Sequence, residues 1–176
     1  MAAPYDRGEA ASAGLSWTVS TIVKGGIDMS TVKQKPLGLT KKDVERRLRD
    51  WERRIKALFR KVEEWGVAEW GKESVQRGTI EQRNEYVMQQ FGVRPRKLPT
   101  LTLLAGERRI TLVPSCLWIV RANGRVDLNV DHTFYTLLDM GGKDRQPSDW
   151  QIVNPDPRVV LEPFTREVFL GIARGT

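Results

Sequence analysis

Apolar positions along the chain follow two different periods, and the change falls near residue 98. Between Thr40 and Gly66 the residues Val44, Leu48, Trp51, Ile55, Leu58, Val62 and Trp65 recur at alternating spacings of four and three. Such an a/d seam over three heptads predicts an amphipathic helix. Thr40 is a good N-cap, with Asp43 placed to complete a capping-box exchange and Leu39 and Val44 placed as a hydrophobic staple. Gly66 supplies a left-handed stop. Acid-before-base pairs at i,i+4 (Asp43–Arg47, Glu45–Arg49, Asp50–Arg54, Glu52–Lys56) add about 0.2–0.5 kcal/mol each. A second helix is predicted over Ile80–Phe91, with Thr79 and Gln82 as capping pair and Gly92 as stop. The stretch between the helices, with Trp70 and Gly71, has no readable period. Pro95 and Pro99 then exclude helix from a basic connector that carries Arg94, Arg96 and Lys97.

From Thr100 the pattern alternates with period two, and strands are expected at Thr100–Ala105, Arg108–Val113, Leu117–Ala122, Arg125–Val130 and Thr133–Leu138. Asn123-Gly124 is a strong type I′ hairpin signal. It would set Ala122 opposite Arg125, Ile119 opposite Leu128 and Leu117 opposite Val130. The connections Gly106-Glu107 and Pro114-Ser115 are equally short, which implies an antiparallel meander. Weaker strands are expected at Trp150–Val153 and Arg158–Leu161, and a last helix begins near Thr165 with Val168, Phe169 and Ile172 on its apolar side. At the other end, residues 1–15 read as a disordered tail, and Ser16–Val23 as a short strand before Gly25-Gly26.

The fold class expected is therefore α+β. A heptad-patterned helical arm and a short second helix precede an antiparallel meander of about five strands and a C-terminal helix. The regions are 1–15, a mainly helical basic stretch 16–97 and a β-rich stretch 98–176, the last two forming one compact unit.

Composition narrows the functional classes. At 40% hydrophobic and 29% charged, the 176 residues have an ordinary globular mix. No apolar run approaches the ~20 residues of a membrane span, and the N-terminus lacks the basic-then-apolar order of a signal peptide. Cys116 is the only cysteine, which excludes an internal disulfide and a cysteine-based zinc site and fits a reducing, cytoplasmic setting. Residues 1–97 hold 20 Lys and Arg against 13 Asp and Glu, whereas residues 98–176 hold 9 of each. The whole excess of +7 thus lies in the first half, where it would steer a polyanion.

Three constellations carry candidate chemistry. The seam Val44, Leu48, Trp51, Ile55, Leu58, Val62 and Trp65 could pair with a partner helix, of another protein or a second copy, or pack on the protein's own sheet. Two tryptophans and the extra apolar Phe59 widen it beyond a two-stranded coiled coil. On the opposite side Arg46, Arg53 and Arg60 are outermost, flanked by Arg49 and Lys56 and, on the other flank, by Arg47, Arg54 and Lys61. With Arg94, Arg96 and Lys97 they make a candidate surface for DNA, RNA or an acidic protein; the bland alternative is a solvated face offset by the interleaved acids. Third, Asp127, Asp131 and Asp139, with the lone His132, would suit Mg²⁺ or Mn²⁺ if neighbouring strands gathered them. Asp and His are equally at home in the turns where these residues fall.

The sequence contains no G-x-S-x-G, G-x-x-x-x-G-K-[ST] or G-x-G-x-x-G, so a P-loop or Rossmann site is excluded. Without a dedicated motif, no cofactor is expected. The reading favoured at this level is a non-catalytic binding or assembly subunit, which docks through the heptad helix and presents the basic face to nucleic acid or an acidic protein. A small metal-dependent nuclease using the aspartates is the alternative.

Overall fold

The structure is a computed structural model and describes residues 38–142, 146–153 and 161–175. The tail 1–15, the strand expected at Ser16–Val23 and most of that expected at Arg158–Leu161 lie outside the described residues. The described residues all belong to one compact unit.

Helix α1 spans Lys41–Trp70. Its start is the predicted capping box: Thr40 Oγ1 accepts from the Asp43 amide at 3.3 Å, and the Asp43 carboxylate accepts from the Thr40 amide at 2.9 Å. Its end differs from expectation. Gly66 lies inside the helix, and Gly71, at φ 85°, terminates it. A Cβ on Gly66 would stand 2.8 Å from a Leu103 methyl, so the glycine permits close helix–sheet approach and does not stop the helix.

A single 3-10 turn at Lys72–Ser74 leads into strand β1, Val75–Glu81. Strand takes the place of the first part of the predicted second helix, because Val75–Glu81 pairs along its whole length with β2, Lys97–Ala105. Helix α2 is confined to Tyr86–Gln90, with Met88 buried. The pairing of β1 with β2 also crosses the 97/98 boundary, so the helical and β-rich regions share one sheet.

Strands β3 (Arg108–Cys116), β4 (Arg125–Val130), β5 (Thr133–Asp139), β6 (Trp150–Val153) and β7 (Leu161–Pro163) complete an antiparallel sheet of seven strands in sequential order. Helix α3, Arg166–Arg174, is capped by Thr165 as expected. The arrangement is α+β.

The Asn123-Gly124 hairpin does not form. Leu128 faces Leu112 and Val130 faces Ile110, so β4 pairs with β3 and not with 117–122. Strand β3 runs through Pro114 with a register shift between Pro114 and Cys116; a bulge is where a strand tolerates the missing amide. Residues 117–124 become an excursion whose tight turn is Val120-Arg121, closed by an Ile119–Ala122 bridge. Gly124 is required for a different reason: its Cβ would stand 2.3 Å from the Trp51 ring, and its φ is 145°.

One sheet face is mainly apolar. Leu101, Leu103, Ile110, Leu112, Val126, Leu128, Leu137 and Ile152 are in phase across the ladder and buried. The α1 seam belongs to the same core: Val44, Leu48, Trp51, Ile55, Leu58 and Val62 are at most 2% exposed. Trp51 packs 6.0 Å from Trp150, and the partly buried Trp65 packs 5.8 Å from both Phe164 and Phe169. The expectation of a partner helix on this seam is thereby corrected. The wide tryptophans fill space between helix and sheet that a second helix would not leave.

Ile55→Ala should cost about 2–5 kcal/mol, the usual range for emptying such a site. Its urea midpoint should not move with protein concentration, as it would if the seam joined two chains. Gly124→Ala, forced into the Trp51 ring, should be destabilising by more than about 1 kcal/mol in the same assay.

Candidate nucleic-acid interface

Burying the seam fixes what α1 shows to solvent. From Lys41 to Lys61 the exposed residues are Lys41, Lys42, Arg46, Arg49, Arg53, Lys56, Ala57, Arg60 and Lys61. Eight are basic and none is acidic. Arg46, Arg49, Arg53, Lys56 and Arg60 form a row at spacings of three and four, which at 1.5 Å per residue is about 21 Å long. The interleaved acids that would neutralise a solvated face lie lower, on the helix flanks. Asp43, Glu45 and Glu52 are half-buried and Asp50 is buried. Several hold the bases in place from below: Asp43 reaches Arg46 at 2.8 Å, Asp50 reaches Arg53 at 2.6 Å and Glu52 reaches Lys56 at 2.7 Å.

The connector joins this surface. Arg96 reaches Glu52 at 3.5 Å. Lys41, Glu45, Arg94 and Arg96 line a cleft of about 370 Å³ beside the helix. Two basic features far apart in sequence thus become neighbours. Lys97 is exposed at the start of β2, opposite Glu81.

Arg54 departs from the expected stripe. It is fully buried. Its Nε donates to Asp50 at 2.7 Å, its Nη1 to Asp139 at 2.6 Å and its Nη2 to the Gly142 carbonyl at 2.6 Å. Asp139 also accepts from the amides of Gly141 and Asp149, each at 3.0 Å. The pair therefore ties α1 to the segment after β5, with most of its hydrogen-bonding capacity used, as a buried charge requires.

That role removes Asp139 from the candidate metal site, and the pleat separates the rest. Asp127 lies opposite Thr136, whereas Asp139 is in phase with Leu137 on the other face. Asp127 instead pairs with Arg125 at 2.5 Å. Asp131 and His132 are the exposed turn between β4 and β5, where Asp131 has φ 54° and accepts from the Arg109 amide at 3.0 Å. Among the described residues no group of three or more His, Cys, Asp or Glu is placed to share a cation. Cys116 is half-buried, and burial first, then Glu85, push its thiol above its ordinary pKa.

A second basic feature was not visible in the sequence. The turn Trp118–Asn123 faces the first turns of α1 across a pocket of about 510 Å³, whose lining includes Arg46, Arg47 and Arg121. The Glu85 carboxylate accepts from the amides of Leu117 and Trp118 at 2.8 and 3.0 Å, and the Asn123 amide donates to the Asp139 carbonyl at 2.6 Å. The turn is therefore pinned at both ends.

Asp139→Asn should lower stability by about 3–5 kcal/mol, because Arg54 stays buried with half its charge compensation gone. Asp50 predicts the acid limb. Burial raises its pKa, but hydrogen bonds from Arg53 and Arg54 outweigh that and leave it below the ordinary 3.8. A carboxyl depressed by folding stabilises fully above its unfolded value and loses that contribution as pH falls through the folded one. Urea midpoints should thus drop below about pH 4, and Asp50→Asn should flatten that drop.

No family of known proteins matches this chain, and no curated protein or solved structure is significantly similar to it.

Proposed function

We propose that this protein is a non-catalytic binding protein that lays the outward face of α1 along a nucleic-acid backbone. The observation that carries the reading is the sorting of charge on α1: eight exposed bases between Lys41 and Lys61, with every acid of that stretch on the flanks or buried. A solvated helix face mixes signs in its outermost layer, whereas here that layer carries one sign and favours a polyanion, even with Arg46, Arg53 and Lys56 braced by acids from below. Phosphates fit the row for a geometric reason. Arg46, Arg49, Arg53, Lys56 and Arg60 lie on one rigid helix, held down by a buried seam, so ordering them on a backbone costs little beyond side-chain entropy. Arg94 and Arg96 widen the row on one side. Nothing in this arrangement reads base edges, so affinity independent of sequence is expected.

The test is a salt titration of binding to labelled duplex DNA and RNA, with each sample also run on a denaturing gel. Neutralising Arg49, Arg53 and Arg60 together to Gln should make the slope of log K against log salt shallower by about 2–3, at ~0.9 for each phosphate no longer neutralised. The melting temperature should fall only modestly, through the lost Arg53–Asp50 hydrogen bonds, since Arg49 and Arg60 are exposed. An unchanged slope overturns the reading. Metal-dependent strand cleavage would replace it with a catalytic one.

A further inference from the structure

The pocket between the start of α1 and the Trp118–Asn123 turn lies outside the basic row just described, yet it opens beside it. We propose that this pocket receives a single unpaired nucleotide, phosphate included, from the strand that α1 tracks; the inference rests on the polyanion-binding reading.

Four features carry it. Arg46, Arg47 and Arg121 converge on the pocket from two separate segments. The one acid in the lining, Asp43, is engaged by Thr40 and Arg46. Leu39, Trp118 and Ile119 supply apolar and aromatic wall, the combination on which unpaired bases stack while arginines hold the phosphate. At about 510 Å³ the pocket lies within the ordinary range for small-ligand sites. It is also built at a cost. Arg121 has φ 68°, a left-handed conformation uncommon for a side chain that is not Gly, Asn or Asp. The Trp118 indole nitrogen is buried with no hydrogen-bond partner. Strain and an unmatched donor in one short turn are more often found at ligand sites than in plain connections.

Continuity selects a nucleotide over an acidic peptide. Arg46 belongs both to the outward row of α1 and to the pocket lining. A backbone that follows the row toward the helix N-terminus therefore arrives at the pocket mouth. There a strand end or an unpaired residue can leave the stack and turn in.

The experiment compares the full-length protein on a blunt duplex and on the same duplex with a 5′-phosphorylated single-stranded overhang, by fluorescence anisotropy, with adenosine monophosphate and a polyglutamate peptide as competitors. The overhang should bind about tenfold tighter than the blunt duplex, the size of one stacked base. Adenosine monophosphate should erase that advantage and polyglutamate should not. Arg121→Gly relieves the backbone strain and so keeps the fold; it should remove the overhang advantage and leave blunt-duplex affinity unchanged. Arg47→Gln should act in the same direction.

Equal binding of the two duplexes, or an advantage that survives Arg121→Gly, overturns the pocket inference while salt-dependent duplex binding stands. Erasure by polyglutamate and not by the nucleotide overturns it in favour of an acidic peptide. If the Arg49, Arg53 and Arg60 variant binds duplex as the wild type does, the polyanion reading itself falls, and the pocket inference falls with it.

Discussion

Everything in this structure follows from one long helix that has to bury an apolar seam and keep a dense row of bases in water. The sheet offers a mainly apolar face, and burying the seam against it contributes roughly 1.5–3 kcal/mol per large side chain. Once the seam is down, the helix has no rotational freedom left. A turn of about 100°, one residue's worth, would carry neighbouring basic positions toward the core and lift Leu48 and Ile55 into solvent. The direction in which the bases point is thus a consequence of hydrophobic burial. Electrostatics decides only where the acids go, and they occupy the flanks, paired to the bases above them.

Arg54 is the exception that the same geometry explains. It lies next to Ile55 and one turn from Asp50, on the edge of the seam that dips toward the end of β5. A guanidinium there cannot reach water, so the site is tenable only with two carboxylates and backbone carbonyls around it. In return the pair holds the Gly141–Gly142 turn against the helix. Asn123, whose side-chain amide donates to the Gly141 and Gly142 carbonyls, links that turn to the pocket-forming excursion. The buried charge and the candidate nucleotide pocket are therefore neighbouring parts of one polar network.

The sequence was most legible where local periodicity and capping agreed with tertiary packing. The start of α1, the seam, the strands at Arg108, Arg125 and Thr133 and the Thr165 cap all follow from spacing alone. It misled where a local signal was overruled by a distant partner. Asn123-Gly124 reads as a hairpin, but the Trp51 ring occupies the space beside Gly124 and β3 has already claimed β4. Gly66 reads as a stop, but Leu103 needs the gap it leaves. Val75–Glu81 has little apolar patterning to announce a strand, and its pairing with β2 supplies what the pattern lacks. Asp139 resembled a ligand because its partner, Arg54, lies 85 residues away. The pocket was invisible for the same reason: Arg47 and Arg121 meet only once the sheet is formed.

Charge is distributed unevenly along the chain. The β-rich part is formally neutral, with 9 basic and 9 acidic residues in 98–176. The sheet face away from the core is mixed, with Thr102, Thr111, Asp127, Asn129 and Thr136 in phase beside the exposed apolar Leu104 and Phe134. Such a mostly uncharged face contributes little directional field. Among the described residues the positive potential therefore originates chiefly from α1 and the Arg94–Lys97 connector, and it decays over a Debye length of ~8 Å. Under the proposed reading such a surface would bind by position and charge, and discrimination among polyanions would come from elsewhere. On the proposed reading, the pocket between Arg47 and Arg121 at the edge of the basic row supplies a concave shape that the helix face itself lacks.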